Sequence, residues 1–368
     1  MHKRFAWMKR DDDVSGTSAK GPCSRRRATN RALPLAALRS NAPNRLRWLV
    51  VLLLLAVPAT VLQLGADAQT ETIEHGDLSI VVRDNARSPD LLSGIVSLRN
   101  LRHAPDYEAF DPDNPGASAG LNFEHIISGH RSRHNSFTPR RGRYSLRRLT
   151  EEHTVQLERL AADSPWKVAS TMQLTVRAPH YIDFEFRCTP QDAALFGRQG
   201  YAIFFFANYM NDVAAVPLHF RGRQTADGEE VWIAADAPQT HPDWNGGGNY
   251  RSVRADELGL DDNVQFRLNT WSYDWPRISK PFYYGRAGNQ MVLILMFDRL
   301  SSTRDQIRFS LYKFKLNQYP RPAWDFQYVI NQVRSGEQYG FRGRLVWKKF
   351  VSREDCLQEY ERWSSQLR

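Results

Sequence analysis

Two apolar runs constrain this chain more than anything else in it: YAIFFFANY (201–209) and QMVLILMF (290–297). Each is of strand length, and each is apolar on both faces. A strand of that kind must be covered on both sides, so the runs predict strands buried between two sheets. Around them lie LSIVVR (78–83), STMQLTVR (170–177), YIDFEFRCT (181–189), VPLHFRG (216–222), NVQFRLNTWSY (263–273) and IRFSLYKFKL (307–316). Several of these alternate apolar and polar residues, which marks a sheet packed on one face and wet on the other. No βαβ rhythm and no internal repeat interrupts them. The reading is an all-β fold, a jelly-roll β-sandwich with long loops, filling residues 69–368 as one domain. The polar, Pro-rich stretch Asn85–Ser118 is expected to be a loop region wrapped on that domain. At the other end SREDCLQEYERW opens with Ser352 as N-cap and places Cys356, Tyr360 and Trp363 on one face. That predicts a C-terminal helix over about 352–366.

The formal net charge of +10 invites a nucleic-acid reading, but its location removes it. Residues 1–68 hold 12 Lys+Arg against 4 Asp+Glu, leaving 38 against 36 in the rest of the chain. The first 68 residues instead read as a leader and export signal. Arg45 and Arg47 precede an apolar run from Trp48 to Val57, and Ala66-Asp67-Ala68 gives the small-x-small pattern for cleavage before Gln69. Left uncleaved, Trp48–Leu64 would form a single N-terminal anchor. The expected location is secreted, periplasmic or cell surface. Export leaves Cys188 and Cys356, for which one disulfide or two separate buried thiols are both open.

The stretch YIDFEF carries the sharpest chemical suggestion. Strand alternation puts Tyr181, Asp183, Glu185 and Arg187 on one face and Ile182, Phe184, Phe186 and Cys188 on the other. YIDFE resembles the E-I-D-x-E strand of laminarinase-type endoglucanases in the concanavalin A-like lectin and glucanase superfamily. That resemblance implies a concanavalin-like jelly roll with Asp183 as the assisting carboxylate and Glu185 as acid/base. Tyr181 stands where the family has its nucleophilic Glu, so a water activated by Asp183 or Glu124, or Tyr181 itself, would have to replace it. Elimination on a uronic acid polymer, with Tyr181 or His180 as base, is a further route. Desolvation by Trp271 and Tyr283 would keep Glu185 protonated. The opposing expectation is that Asp183 and Glu185 pair with neighbouring arginines such as Arg187. The segments NFEHIISGH, YAIFFFANYMND, HPDWNGGGNYR, WDFQYVI and YGFRGRLVWKKF also resemble a family of exported bacterial proteins, which implies export and fold rather than an activity.

Aromatic residues beside Asn, Asp and Arg suit sugars, whose C–H faces stack on rings while the hydroxyls take hydrogen bonds. HPDWNGGGNYR, read as a shaped loop, supplies Asp243, Trp244 and Asn245. WSYDWPR adds Trp271, Tyr273 and Trp275, and PFYYGR adds Tyr283 and Arg286. Asn208 and Arg187 complete the expected ligand contacts. Glu124, His125 and His130 in NFEHIISGH tempt a metal reading but lack ligand spacing, and the two histidines read as solvent-exposed loop residues. Asn208, Asn211 and Asp212 could hold a structural Ca²⁺, and no other metal or cofactor is expected. The sequence therefore points to an exported protein that binds or processes poly- or oligosaccharide. A glycoside hydrolase or polysaccharide lyase, and a non-catalytic cell-surface protein, are the alternatives.

Overall fold

The computed structural model describes residues 69–87, 91–110, 120–128, 143–236, 246–254, 274–313 and 321–367. The leader and signal segment, the strand expected over 263–273, and His130, Asp243, Trp244, Asn245, Trp271 and Tyr273 lie outside these residues.

The described chain opens with β1 (Thr70–His75), β2 (Leu78–Arg83) and β3 (Gly94–Asn100). Next come β4 (Leu121–Ser128), β5 (Ser145–Arg148), β6 (Thr154–Arg159), β7 (Val168–Arg177) and β8 (Tyr181–Pro190). The middle holds β9 (Ala202–Asn208), β10 (Val213–Arg223), β11 (Val231–Ala235), β12 (Gly246–Tyr250) and β13 (Arg277–Ala287). The last strands are β14 (Met291–Phe297), β15 (Asp305–Lys313), β16 (Pro322–Ile330) and β17 (Tyr339–Lys349), followed by helix α1 (Arg353–Ser365). Their antiparallel ladders build a nine-stranded sheet, β11-β10-β13-β14-β17-β8-β7-β6-β5, and a five-stranded sheet, β12-β15-β16-β9-β4. A small sheet, β1-β2-β3, adds Ile73, Leu78, Ile80, Ile95 and Leu98 to the shared core.

The fold is an all-β sandwich, with aromatic rings from both large sheets interleaved between them. Phe206 stacks on Phe326 at 4.7 Å and meets Phe186 edge-on at 5.0 Å and Phe341 at 5.4 Å. Each such ring contributes roughly 1.5–3 kcal/mol through burial. Gly343 is required on β17, because a Cβ there would meet the ring of its cross-strand partner Phe184 at 2.2 Å.

The two apolar runs are indeed strands, β9 and β14, buried at every position. Their covers differ from expectation. One face of each meets the core, whereas the outer face of β14, with Val292, Ile294 and Met296, packs under α1. The helix forms as its sequence predicts: the Ser352 hydroxyl accepts from the Asp355 amide at 3.1 Å, and Cys356, Glu359 and Trp363 are buried. Cys188 faces the core with Phe184 and Phe186, while Cys356, on α1, packs against the opposite face of the sheet. Both are free buried thiols, because the sheet lies between them.

Two expected loops are strands. GIVSLRN (94–100), within the expected 85–118 loop, pairs with β2, and a register shift opposite Val81 and Val82 lets both Ile95 and Leu98 reach the core. Gly246–Tyr250, the glycines of HPDWNGGGNYR, pairs with β15, with Gly247 opposite Tyr312.

Candidate functional site

The outer face of the nine-stranded sheet carries Tyr181, Asp183, Glu185 and Arg187, as alternation requires. Asp183 is held by a fork from Arg344, with Nε at 2.5 Å and Nη2 at 3.0 Å, and by Arg177 Nε at 2.7 Å. Glu185 accepts from Arg187 at 2.7 Å. Tyr181 donates to Glu359 of α1 at 3.1 Å, with the Arg344 guanidinium over its ring at 4.7 Å. Burial first, then the Glu359 charge, raises the Tyr181 phenol and disfavours the phenolate a nucleophile needs. Each of the three expected catalytic groups thus has a structural partner.

The expected ligand contacts are dispersed. Tyr283 lies in the core with no exposure and donates to the Trp324 carbonyl at 2.7 Å, so it cannot close over Glu185 on the other face of the sheet. Arg286 is exposed and sits over Phe350 at 4.3 Å. Trp275 packs under Arg277 at 5.1 Å. Asn208 is buried, its amide donating to Met210 Sδ at 3.4 Å, while Asn211 donates to the Glu108 carbonyl at 3.1 Å and Asp212 is exposed.

A different face brings polar groups together. On the five-stranded sheet the inward positions are apolar, whereas the outward ones carry Glu124 and His125 from β4, Asn249 from β12, and Gln306, Arg308 and Ser310 from β15. Asp325 and Gln327 come from β16. All eight are buried. Register aligns them in rungs: Asn249 opposite Ser310 opposite Asp325, and Arg308 opposite Gln327 opposite Phe205 opposite His125. Ser310 and Gln327 both donate to Asn249 Oδ1, at 2.6 and 3.0 Å, and Arg308 Nε donates to Gln306 Oε1 at 3.0 Å. Tyr209 donates to Glu124 Oε1 at 2.6 Å, while His125 stacks on Phe205 at 4.8 Å with its Nε2 3.9 Å from the Glu124 carboxylate. Gln327 Oε1 is buried with no hydrogen-bond partner among the described residues.

Electrostatics sets this face apart. Asp325 is 2 % exposed, and burial pushes its carboxyl well above the usual range; the Asn208 amide partly counters this, and the Glu124 charge adds to it. Burial therefore favours the neutral form of Asp325. Burial, then the nearby Arg251 charge, brings Arg308 down to about 9. The face thus gathers two carboxyl groups with amide and guanidinium groups, the residue types of acid–base and polar-ligand sites.

His125 is not the solvent-exposed loop histidine expected; it and Glu124 are each 1 % exposed on β4. A bulge between Phe123 and His125 breaks the alternation there and puts both neighbouring polar residues on the same side. WDFQYVI and IRFSLYK did hold a signal, since Asp325, Gln327, Arg308 and Ser310 alternate with core residues. Alternation alone reads such residues as wet, and burial of the polar face is not visible in it.

No protein-family model matches the chain, and no curated protein does. Three solved structures are similar at low level. They are an aldose epimerase homologue from C. elegans (TM-score 0.43, 9% identity, covering 77% of this chain and 100% of that one), a heparan sulfate lyase from Pedobacter heparinus (0.40, 9%, 78% and 36%), and galactose 1-epimerase from Lactobacillus acidophilus (0.38, 8%, 77% and 96%). This chain thus spans about a third of the lyase. Scores this low carry no argument about the site. The concanavalin-like resemblance is not confirmed by these comparisons.

Proposed function

We propose that this is an exported carbohydrate-active protein whose site is the outer face of the five-stranded sheet. The observation that carries the reading is the desolvated carboxyl of Asp325 beside Glu124, within a buried layer of amides and guanidinium groups. A protein with only a structural role would fill a buried sheet face with apolar side chains, because every buried polar group must be compensated. Asn249, Gln327 and Ser310 have the donor and acceptor mix that sugar hydroxyls require. Asp325 would act as general acid and Glu124, held by Tyr209, as base. Their strands flank β9, so the two backbones are two strand spacings apart, about 10 Å. Carboxyl groups held at a comparable separation would leave room for a water, as inversion requires. This chemistry needs no cofactor. Export is supported by the Trp48–Ala68 signal pattern.

The test is a turnover screen over neutral and acidic polysaccharides, followed by Asp325→Asn and Glu124→Gln on whichever glycan is cleaved. Each variant is expected to lose about 10²–10⁴ in rate, and anomer-resolved NMR should show inversion. Turnover unchanged in both variants would rule out the assignment; glycan binding without turnover would reduce the face to a binding site.

A further inference from the structure

At the end of the sandwich where β8 and β14 finish and β15 and β17 begin, the surface sinks into a concavity of about 270 Å³. Four guanidiniums line it, from Arg187, Arg299, Arg304 and Arg342, against three carboxylates, those of Glu185, Asp298 and Asp305. The two charges sit at different depths. Asp298 and Asp305 side chains are 7 % and 5 % exposed, whereas those of Arg187, Arg304 and Arg342 are more than half exposed. Two buried carboxylates form the floor, and three exposed guanidiniums form the mouth beside the partly exposed Glu185.

The buried carboxylates act as anchors. Asp298 takes a fork from Arg299, at 3.1 and 3.2 Å, and also Arg342 Nε at 3.3 Å, while Asp305 takes Arg299 Nη1 at 3.2 Å. Tyr328 fixes Asp305 in turn, at 2.7 Å. Arg304 is set by Glu337 at 2.6 Å and the Gln338 carbonyl at 3.2 Å, with its guanidinium over the Tyr339 ring. These contacts orient the guanidiniums without exhausting them. Arg342 uses only Nε, Arg304 only Nη2, and Arg187 leaves Nη1 without a partner among the described residues. Several N–H donors on pre-oriented planes, converging on a single concavity, form the arrangement that recognises planar or tetrahedral oxyanions.

We propose that this concavity is an oxyanion-binding site, distinct from the polar face of the five-stranded sheet, that takes a carboxylate, sulfate or phosphate group. At 270 Å³ it fits one charged residue or a free anion, and no extended chain. Buried Asp298 and Asp305 hold the donors in place, so the ligand meets guanidinium nitrogen rather than carboxylate oxygen.

The site is tested by calorimetric titration of the whole protein at low ionic strength with inorganic sulfate, inorganic phosphate and D-glucuronate, using D-glucose as the neutral control. At least one of the three anions should bind saturably in the millimolar range and glucose should not; the ranking of the anions identifies which group the site takes. Arg304→Gln combined with Arg342→Gln should weaken that binding at least tenfold, with unchanged circular dichroism. Should the double variant misfold, Arg187→Gln, at the exposed rim, provides the same reading. Absence of binding by all three anions, equal binding of glucose, or anion binding unaltered in a folded arginine variant would overturn the proposal. Loss of glycan turnover in Asp325→Asn with anion binding intact separates this site from the proposed carbohydrate face.

Discussion

Asp325 accepts the Asn208 amide at 2.8 Å and sits in a layer where burial, with Glu124 nearby, holds its carboxyl high. A carboxyl whose folded value is raised favours the folded state fully only below its unfolded value, near 4. That contribution is lost as pH climbs toward the folded value. Asp325→Asn, which cannot ionise, should therefore gain stability relative to the parent as pH rises from 4 to 7. Thermal melts at both pH values check this, and a gap that does not grow with pH would contradict it. Asp183 acts through its contacts instead. Its carboxylate is gripped by Arg344 and Arg177, so Asp183→Asn should cost about 1–2 kcal/mol of stability in urea titration. Glycan turnover should remain intact. Side-chain alternation placed Asp183 and Glu185 on one face from sequence alone. The arginines that hold Asp183 come from β17 and the end of β7, and nothing in YIDFEF announces them.

Helix α1 is attached to the sheet by a charged centre as well as by its apolar face. Glu359 is 4 % exposed and receives Lys348 Nζ, Arg362 Nη2 at 2.9 Å and the Tyr181 hydroxyl, with His180 Nε2 3.9 Å away. Burial pushes its carboxyl up, but His180, Lys348 and Arg362 outweigh that and hold it at about 2. With the folded value below the unfolded one, its contribution is present above about pH 4.5 and lost as pH falls toward 2. Glu359→Gln should thus cost roughly 2–3 kcal/mol at pH 7 and almost nothing at pH 2. Chemical denaturation followed through the Trp363 environment measures both, and a cost independent of pH would count against the account. The helix itself was legible, because its N-cap and the spacing of Cys356, Tyr360 and Trp363 are local signals. Glu359 was not, since its partners lie on β17 and at the start of β8. Strand β4 was missed for a comparable reason: its bulge erases the period-two pattern that identifies strands.

At the scale of the whole molecule, the sandwich was readable because β9 and β14 are apolar at nearly every position and demand covers on both sides. What those covers are was not readable. Alternating strands such as β15 and β16 carry the same pattern whether their polar face meets water or is enclosed, and here Arg308, Ser310, Asp325 and Gln327 are enclosed. That single difference moves the candidate site from the nine-stranded sheet, where YIDFEF suggested it, to the five-stranded one. The most direct test compares variants of the two faces on one glycan substrate: Asp325→Asn on β16 against Glu185→Gln on β8. The account predicts that Asp325→Asn lowers kcat by at least 10²-fold and Glu185→Gln by less than about threefold. The reverse pattern, with Glu185→Gln inactive and Asp325→Asn fully active, would contradict it.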